Sequence, residues 1–310
     1  MVGEDNNREL NFKEDIEITL KNKDEVIEKD IRDELGTINT IDTNNEEDKK
    51  MLNVTNKTKF EKNKGPQKMV NVPEGRGKVS QTQLKYLPYK CICKISIKGT
   101  NGHSYIGTGI YISPRIVLTA AHNLYYYQMG GDAIYFEITP GFYMDGGQYG
   151  TTKAHKLKFP GEFLQYEHID TRNSQSSILS RPYDYGVIIT TDRLGDKTGF
   201  LDVLKITDNE LASSQITICG YPYKDLPAGF ENFRGKVQFE DTNDIQTGKI
   251  TPNLFENWVD TSQGQSGSPC LINRDNTQYI VGIHIGDGNF AVRVNDKVYN
   301  KIQEWKQQFS

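Results

Sequence analysis

A chain of 310 residues with a formal charge of −4 has room for one large catalytic unit, and its charge balance gives no electrostatic draw toward nucleic acid or an anionic membrane. No apolar run approaches membrane-spanning length. Its four cysteines are too few for a disulfide scaffold.

Residues 1–69 carry 13 Lys/Arg and 17 Asp/Glu against two aromatics, Phe12 and Phe60, which leaves 24 basic and 24 acidic residues in the remainder. So little apolar surface does not offset chain entropy, and the segment is read as a charged, disordered propeptide or tail. Short apolar patches at 14–20 (EDIEITL) and at Val26 and Ile27 allow transient helix or docking on the rest of the chain, but a solvated tail is the expectation. Met1 is not followed by a basic start and an apolar run, so no secretory signal is read. Asn53 and Asn56 head Asn-x-Thr triplets, which are glycosylation acceptors only on a eukaryotic secretory route.

Pro66 and the Pro73-Glu-Gly-Arg-Gly stretch mark a flexible junction. Beyond it, 91–98 (CICKISIK) alternates, which places Cys91 and Cys93 on one strand face as buried thiols with no metal partners nearby. Strand-like runs follow at 104–112, 116–119, 134–138, 187–190, 215–219, 236–239, 270–272 and 279–285. Many short strands separated by Gly, Pro and Asp indicate a barrel or sandwich. Residues 125–131 and the polar run 168–181 read as rim loops. Gly146, Gly147 and Gly150 lie in another loop, where no Lys-Ser/Thr pair or capped helix follows to make a phosphate cradle. The chain closes on a helix, because Val298, Ile302, Trp305 and Phe309 recur at helical spacing behind Asn295 as cap.

Three motifs carry chemistry. In 261–269 (TSQGQSGSP), glycines flank Ser266 and let the chain turn so that the amides of Gly264 and Ser266 converge on one developing oxyanion. His122 ends the run 109–122 (GIYISPRIVLTAAH), and Asp184 stands at the mouth of the apolar strand in 182–190 (PYDYGVIIT). Each alone has an ordinary reading, as a turn serine, a structural histidine or a strand-end carboxylate. Together, the order His, Asp, Ser at separations of 62 and 82 residues is that of a chymotrypsin-type triad.

These TAAH, DYGVI and GQSGSP segments resemble the trypsin-like serine peptidases, and in detail the bacterial glutamyl endopeptidase branch. That branch's serine motif, Asp-Thr-x-x-Gly-(Gln or Asn)-Ser-Gly-Ser-Pro, is met at every position from Asp260 to Pro269. The stretch 75–82, with Pro88 and Tyr89 after it, is similar to the start of the branch's mature chain, so the resemblance covers about residues 70–310.

The resemblance implies an all-β fold, two six-stranded antiparallel β-barrels with a C-terminal α-helix. Barrel one would span about 86–195, barrel two about 205–290 and the helix about 296–309. It implies a secreted, monomeric serine endopeptidase acting on protein or peptide substrates, with His122 as base, Asp184 as its orienter, Ser266 as nucleophile, Gly264 and Ser266 as oxyanion hole, and no metal or organic cofactor. It also implies that Thr261 and His284 bind a substrate carboxylate, hence cleavage after Glu and more slowly after Asp. Residues 1–69 become a zymogen propeptide cut near Lys68, Met69 and Val70, although Gln265 stands where digestive zymogens place the aspartate that pairs with a freed amino terminus. Two rivals stand beside this reading: a basic preference set by Asp260, six residues before the nucleophile, and a catalytically silent binding homologue, against which the complete triad argues. Cys219 and Cys270 would occupy neighbouring strands of barrel two, where a bridge is open. The family's disulfide beside the catalytic histidine cannot form, since no cysteine lies near His122.

Overall fold

Strands dense in Ile, Val, Thr and Tyr pair antiparallel through short turns, and the resulting sheets curl until their edges meet. The structure is a computed structural model and describes residues 14–20, 75–126, 131–170, 177–286 and 289–309. Two short strands, β1 (Asp15–Thr19) and β2 (Gly77–Lys78), precede the barrels. Barrel one is built from β3 (Ile92–Gly99), β4 (Ser104–Ser113), β5 (Ile116–Thr119), β7 (Gly131–Pro140), β10 (Thr152–Pro160) and β11 (Gly186–Thr190), with β6 (Tyr125–Tyr126) and the small hairpin of β8 (Phe142–Tyr143) and β9 (Gly146–Gly147) between them in the chain. Its order is β10-β11-β5-β4-β3-β7, and β7 returns to β10 to close it. Barrel two comprises β12 (Gln215–Gly220), β13 (Phe239–Ile250), β14 (Leu254–Asn257), β15 (Pro269–Arg274), β16 (Thr277–Gly286) and β17 (Phe290–Arg293). Its order β12-β15-β16-β17-β14-β13 closes by β13 pairing β12.

The fold is therefore all-β, two closed six-stranded antiparallel barrels, followed by a terminal helix. That helix spans Asp296–Phe309, with Val298, Ile302 and Trp305 buried as the periodicity requires. Asn295 caps it, its Oδ1 accepting from the Val298 amide at 2.9 Å.

Several elements depart from the sequence expectation. The run expected at 236–239 enters the ladder only at Phe239, opposite Gly220, because the Lys236 amide is still tied to Phe233 O in the preceding turn and Gln238 turns its amide inward to Tyr89 O and the Tyr221 hydroxyl. Of the expected rim loop 168–181, the first residues finish a helix at Gly161–Asp170 and Ser177–Ser180 form a helical turn, while 171–176 lie outside the described residues. Cys219 and Cys270 do sit on neighbouring strands, yet both are free, as are Cys91 and Cys93. All four thiols are buried, and desolvation pushes Cys91 up to about 12, which removes its nucleophilic form near neutral pH.

The largest departure is at the N-terminus. Residues 14–20 are no solvated tail: β1 adds an antiparallel strand to β10, from Asp15 opposite Pro160 to Thr19 opposite Lys156, and the Leu20 amide continues the ladder to His155 O at 2.9 Å. Ile16, Ile18 and Leu20 pack on the main core. Glu17 pairs with Lys156 at 2.7 Å, a hydrogen bond that holds its carboxyl below the usual range. Asp15 accepts from Trp305 Nε1 at 2.8 Å and faces Lys301 at 3.2 Å, tying the first strand to the last helix. Composition summed over 69 residues concealed a seven-residue alternating stretch. The glycosylation triplets at Asn53 and Asn56, Val26 and Ile27, and the expected cut at 68–70 lie outside the described residues.

Asp15→Ala is expected to lower stability by about 1–3 kcal/mol, because it leaves the indole N–H of the buried Trp305 without an acceptor. Urea unfolding of the full chain measures it, and an unchanged midpoint would show that β1 adds nothing to the fold.

Candidate active site

The site is assembled from both barrels. His122 lies in the 3₁₀ turn Ala121–Asn123 that ends β5, and Asp184 follows the turn Arg181–Tyr183 that leads into β11. Because β5 and β11 pair with Gly186 opposite Thr119, the two turns come off adjacent strand ends. The Asp184 carboxylate uses both oxygens on His122: Oδ1 accepts from the backbone amide at 2.9 Å, and Oδ2 meets ring Nδ1 at 2.7 Å. This pair fixes the ring's orientation and places the neutral ring's proton on Nδ1, so Nε2 carries the basic lone pair. Asp184 is buried while His122 keeps 22% of its side chain exposed.

Ser266 comes from the loop entering β15, and the loop's geometry follows from where its carbonyls are tied. Gln263 O accepts from the Tyr223 amide at 2.6 Å and Gln265 O from the Ser268 amide at 3.0 Å. In a trans peptide the N–H points opposite to the carbonyl, so the Gly264 and Ser266 amides face the other way. The amides of Gln265, Gly267 and Ser268 are engaged by Ser262 O, His284 O and Gln265 O; those of Gly264 and Ser266 meet no acceptor among the described residues. Gly264 has φ of 99°, a left-handed conformation that glycine alone adopts cheaply. Two amides left without an acceptor beside a serine are what an oxyanion hole needs.

Barrel one contributes residues that sequence reasoning missed. Thr108 and Asn123 both hydrogen-bond the serine loop's carbonyls. The only local signal is Thr108 set between Gly107 and Gly109, where a Cβ would press on Asn123 Nδ2 or on Val117 at 2.6 Å.

His284 lies on β16 beside the same loop, its carbonyl accepting from Gly267 at 2.7 Å and its amide donating to Ser268 O at 2.9 Å. Its side chain is 1% exposed, and Nδ1 is buried without a partner among the described residues. Burial, helped by the nearby His122, lowers its pKa to about 4, so the ring is neutral. The Thr261 hydroxyl donates to Asn289 Oδ1 at 3.1 Å and not to His284. Asp260 Oδ2 accepts from the Gly75 amide at 3.0 Å, and its own amide donates to Asp241 Oδ2 at 2.8 Å. Among the described residues, no group of three or more His, Cys, Asp or Glu side chains is placed to hold a metal ion.

Comparison with known proteins agrees with this architecture. The glutamyl endopeptidase of Bacillus licheniformis is 27% identical over 257 residues, covering 78% of this chain and 71% of that protein. The solved structure of a Glu endopeptidase in complex with MPD superposes with a TM-score of 0.59 at 24% identity, over 76% of this chain and 98% of that one. The protease Anisep from Arthrobacter nicotinovorans follows with a TM-score of 0.51 at 18% identity, over 70% and 96%. The sequence profile of the trypsin family matches residues 79–307, and the chain belongs to that family of trypsin-like serine proteases.

Proposed function

We propose that the protein is an endopeptidase that cleaves after glutamate, and more slowly after aspartate, through an acyl-enzyme on Ser266. The observation that carries this is the pairing of an oriented His122–Asp184 couple with a serine loop whose Gly264 and Ser266 amides are both unengaged. His122 Nε2 takes the Ser266 proton as Oγ attacks the scissile carbonyl, and returns it to the leaving amine. The two amides stabilise the oxyanion; water then attacks the acyl-enzyme by the same route. On a chromogenic Glu ester, a burst of product equal to the enzyme concentration is expected before steady turnover. Absence of both burst and turnover would favour the silent binding homologue.

The glutamyl preference draws support from three features. The relative in Bacillus licheniformis is a glutamyl endopeptidase. His284 puts a neutral imidazole beside the serine loop. Asp260, which a basic preference needs, has one oxygen already engaged by the Gly75 main chain.

The N-terminal region is read as a pro-segment cut near Lys68, Met69 and Val70, and the active protein as secreted and monomeric. Because residues 14–20 are laid into barrel one, cutting the connection does not by itself free them. N-terminal sequencing of active material is expected to show a new terminus near Val70. An intact Met1 with full activity is incompatible with that maturation.

A further inference from the structure

Four consecutive peptide planes run from Gln263 to Gly267, and their carbonyls are held alternately by the two barrels. Barrel two holds Gln263 O and Gln265 O, which aims the two oxyanion-hole amides. Barrel one holds the other two. Thr108 Oγ1 donates to Gly264 O at 2.8 Å, while the Thr108 amide and Asn123 Nδ2 both donate to Ser266 O at 2.9 Å.

The barrel-one side of this contact is a network, in which Thr108 Oγ1 also accepts from the Tyr221 amide at 3.0 Å. Asn123 Nδ2 also donates to Thr119 Oγ1 at 2.9 Å, and Thr119 Oγ1 donates to Thr108 O at 2.7 Å. Thr119 thus has its proton committed, and Ser266 O has none, so only the NH₂ end of the Asn123 amide satisfies both. Thr108, Thr119 and Asn123 are all buried, the last 4% exposed, where an unpaired carbonyl is costly. A Cβ on Gly267 would sit inside van der Waals contact with Thr108 O, Thr119 Oγ1 and Asn123 Nδ2, which explains the glycine after the nucleophile.

Asn123 is the residue directly after His122, and the one-residue step makes the network a link between base and hole. Nothing covalent ties that turn to β4: Gly107 lies opposite, and a Cβ built on it would fall 2.7 Å from Asn123 Cγ. The Asn123 amide fills the space that a cross-link would occupy and reaches across the cleft as well. Gly264 and Gly267 both have positive φ, and glycine turns over at little steric cost, so the loop's alternation depends on what holds its carbonyls.

We propose that Asn123 and Thr108 are positioning residues for the oxyanion hole: they lock the peptide planes of the serine loop to the turn that carries His122. Base and hole then keep one mutual geometry without a disulfide. This rests on the reading of Ser266 as nucleophile, and it adds two residues of the first barrel to the machinery of the second.

The test compares Asn123→Ala, Thr108→Val and Thr108→Ser in the full chain on one Glu peptide. For the first two, kcat is expected to fall about 10- to 100-fold with KM within about threefold, less than direct loss of an oxyanion donor. Affinity for a peptide boronate, which forms a tetrahedral adduct on the serine, should fall by the same factor. Thr108→Ser keeps the hydroxyl and should stay within about threefold of the parent. A Gly107→Cys/Asn123→Cys pair, oxidised, separates this role from that of a staple: it should raise the thermal midpoint above that of Asn123→Ala without recovering kcat. Recovery of kcat by the disulfide, or unchanged kcat in folded Asn123→Ala and Thr108→Val proteins, overturns the proposal; should Asn123→Ala not fold, the Thr108 pair decides alone. A parent chain with neither turnover nor boronate binding would instead refute the protease reading, and this inference with it.

Discussion

Ser266→Ala is expected to reduce turnover about 10⁴- to 10⁶-fold while leaving the unfolding midpoint unchanged. The separation is predicted by what Ser266 contributes to each property. Its structural bonds are made by its backbone carbonyl, to Thr108 and Asn123, and an alanine keeps them. In the proposed mechanism its hydroxyl is the attacking group, and at a half-buried position its removal costs little packing. Residual activity of the variant should match what the oxyanion amides supply alone, and covalent labelling by an organophosphonate should vanish. Labelling that survives in Ser266→Ala would place the nucleophile elsewhere.

Much of this site was legible in the sequence because its parts are local motifs. A serine between glycines, a histidine after a β-rich run and an aspartate before an apolar strand each sit in a short window whose chemistry survives without the fold. Among the strands that the sequence does not announce, β10 and β13 are two whose composition hides their burial. β10 carries Lys153, Lys156 and Lys158, and Lys158 is 8% exposed, with its stem covered and its ammonium reaching Gln308 and Glu17. β13 (FEDTNDIQTGKI) is polar along most of its length and takes a register shift between Ile245 and Ile250, which blurs any alternation. β1 was lost in a charged segment. The carbonyl ties of Thr108 and Asn123 have no sequence signature beyond the glycines on either side of Thr108, since they join residues 156 and 143 positions apart. What the sequence does not show is which groups a second barrel will find waiting.

His284→Ala is expected to lower kcat/KM on Glu peptides by about 30-fold to several thousand-fold, the equivalent of about 2–5 kcal/mol for removing a buried partner of a charged group. Matched Leu peptides should lose far less. The ring's surroundings set both the size and the pH dependence of the effect. Nδ1 is buried without a partner among the described residues, which favours the tautomer with the proton on Nε2 and supplies the donor that the proposed glutamyl preference needs. Free His284 protonates only near pH 4, because burial penalises its charge. A bound carboxylate favours the charged ring and raises that value, so the complex binds protons more readily than the free protein. Affinity for Glu peptides should therefore improve as pH falls from about 7 toward 5, while that for Leu peptides should not. Folding stability runs the other way: an unfolded imidazole takes its proton below about 6.5 and the folded one does not until about 4, so stability is lost as pH falls through that window. Kinetics on peptides differing only in Glu, Asp, Arg or Leu before the scissile bond measure the preference directly. A preference for Arg, unchanged by His284→Ala, would assign the pocket to Asp260 despite its bond to Gly75.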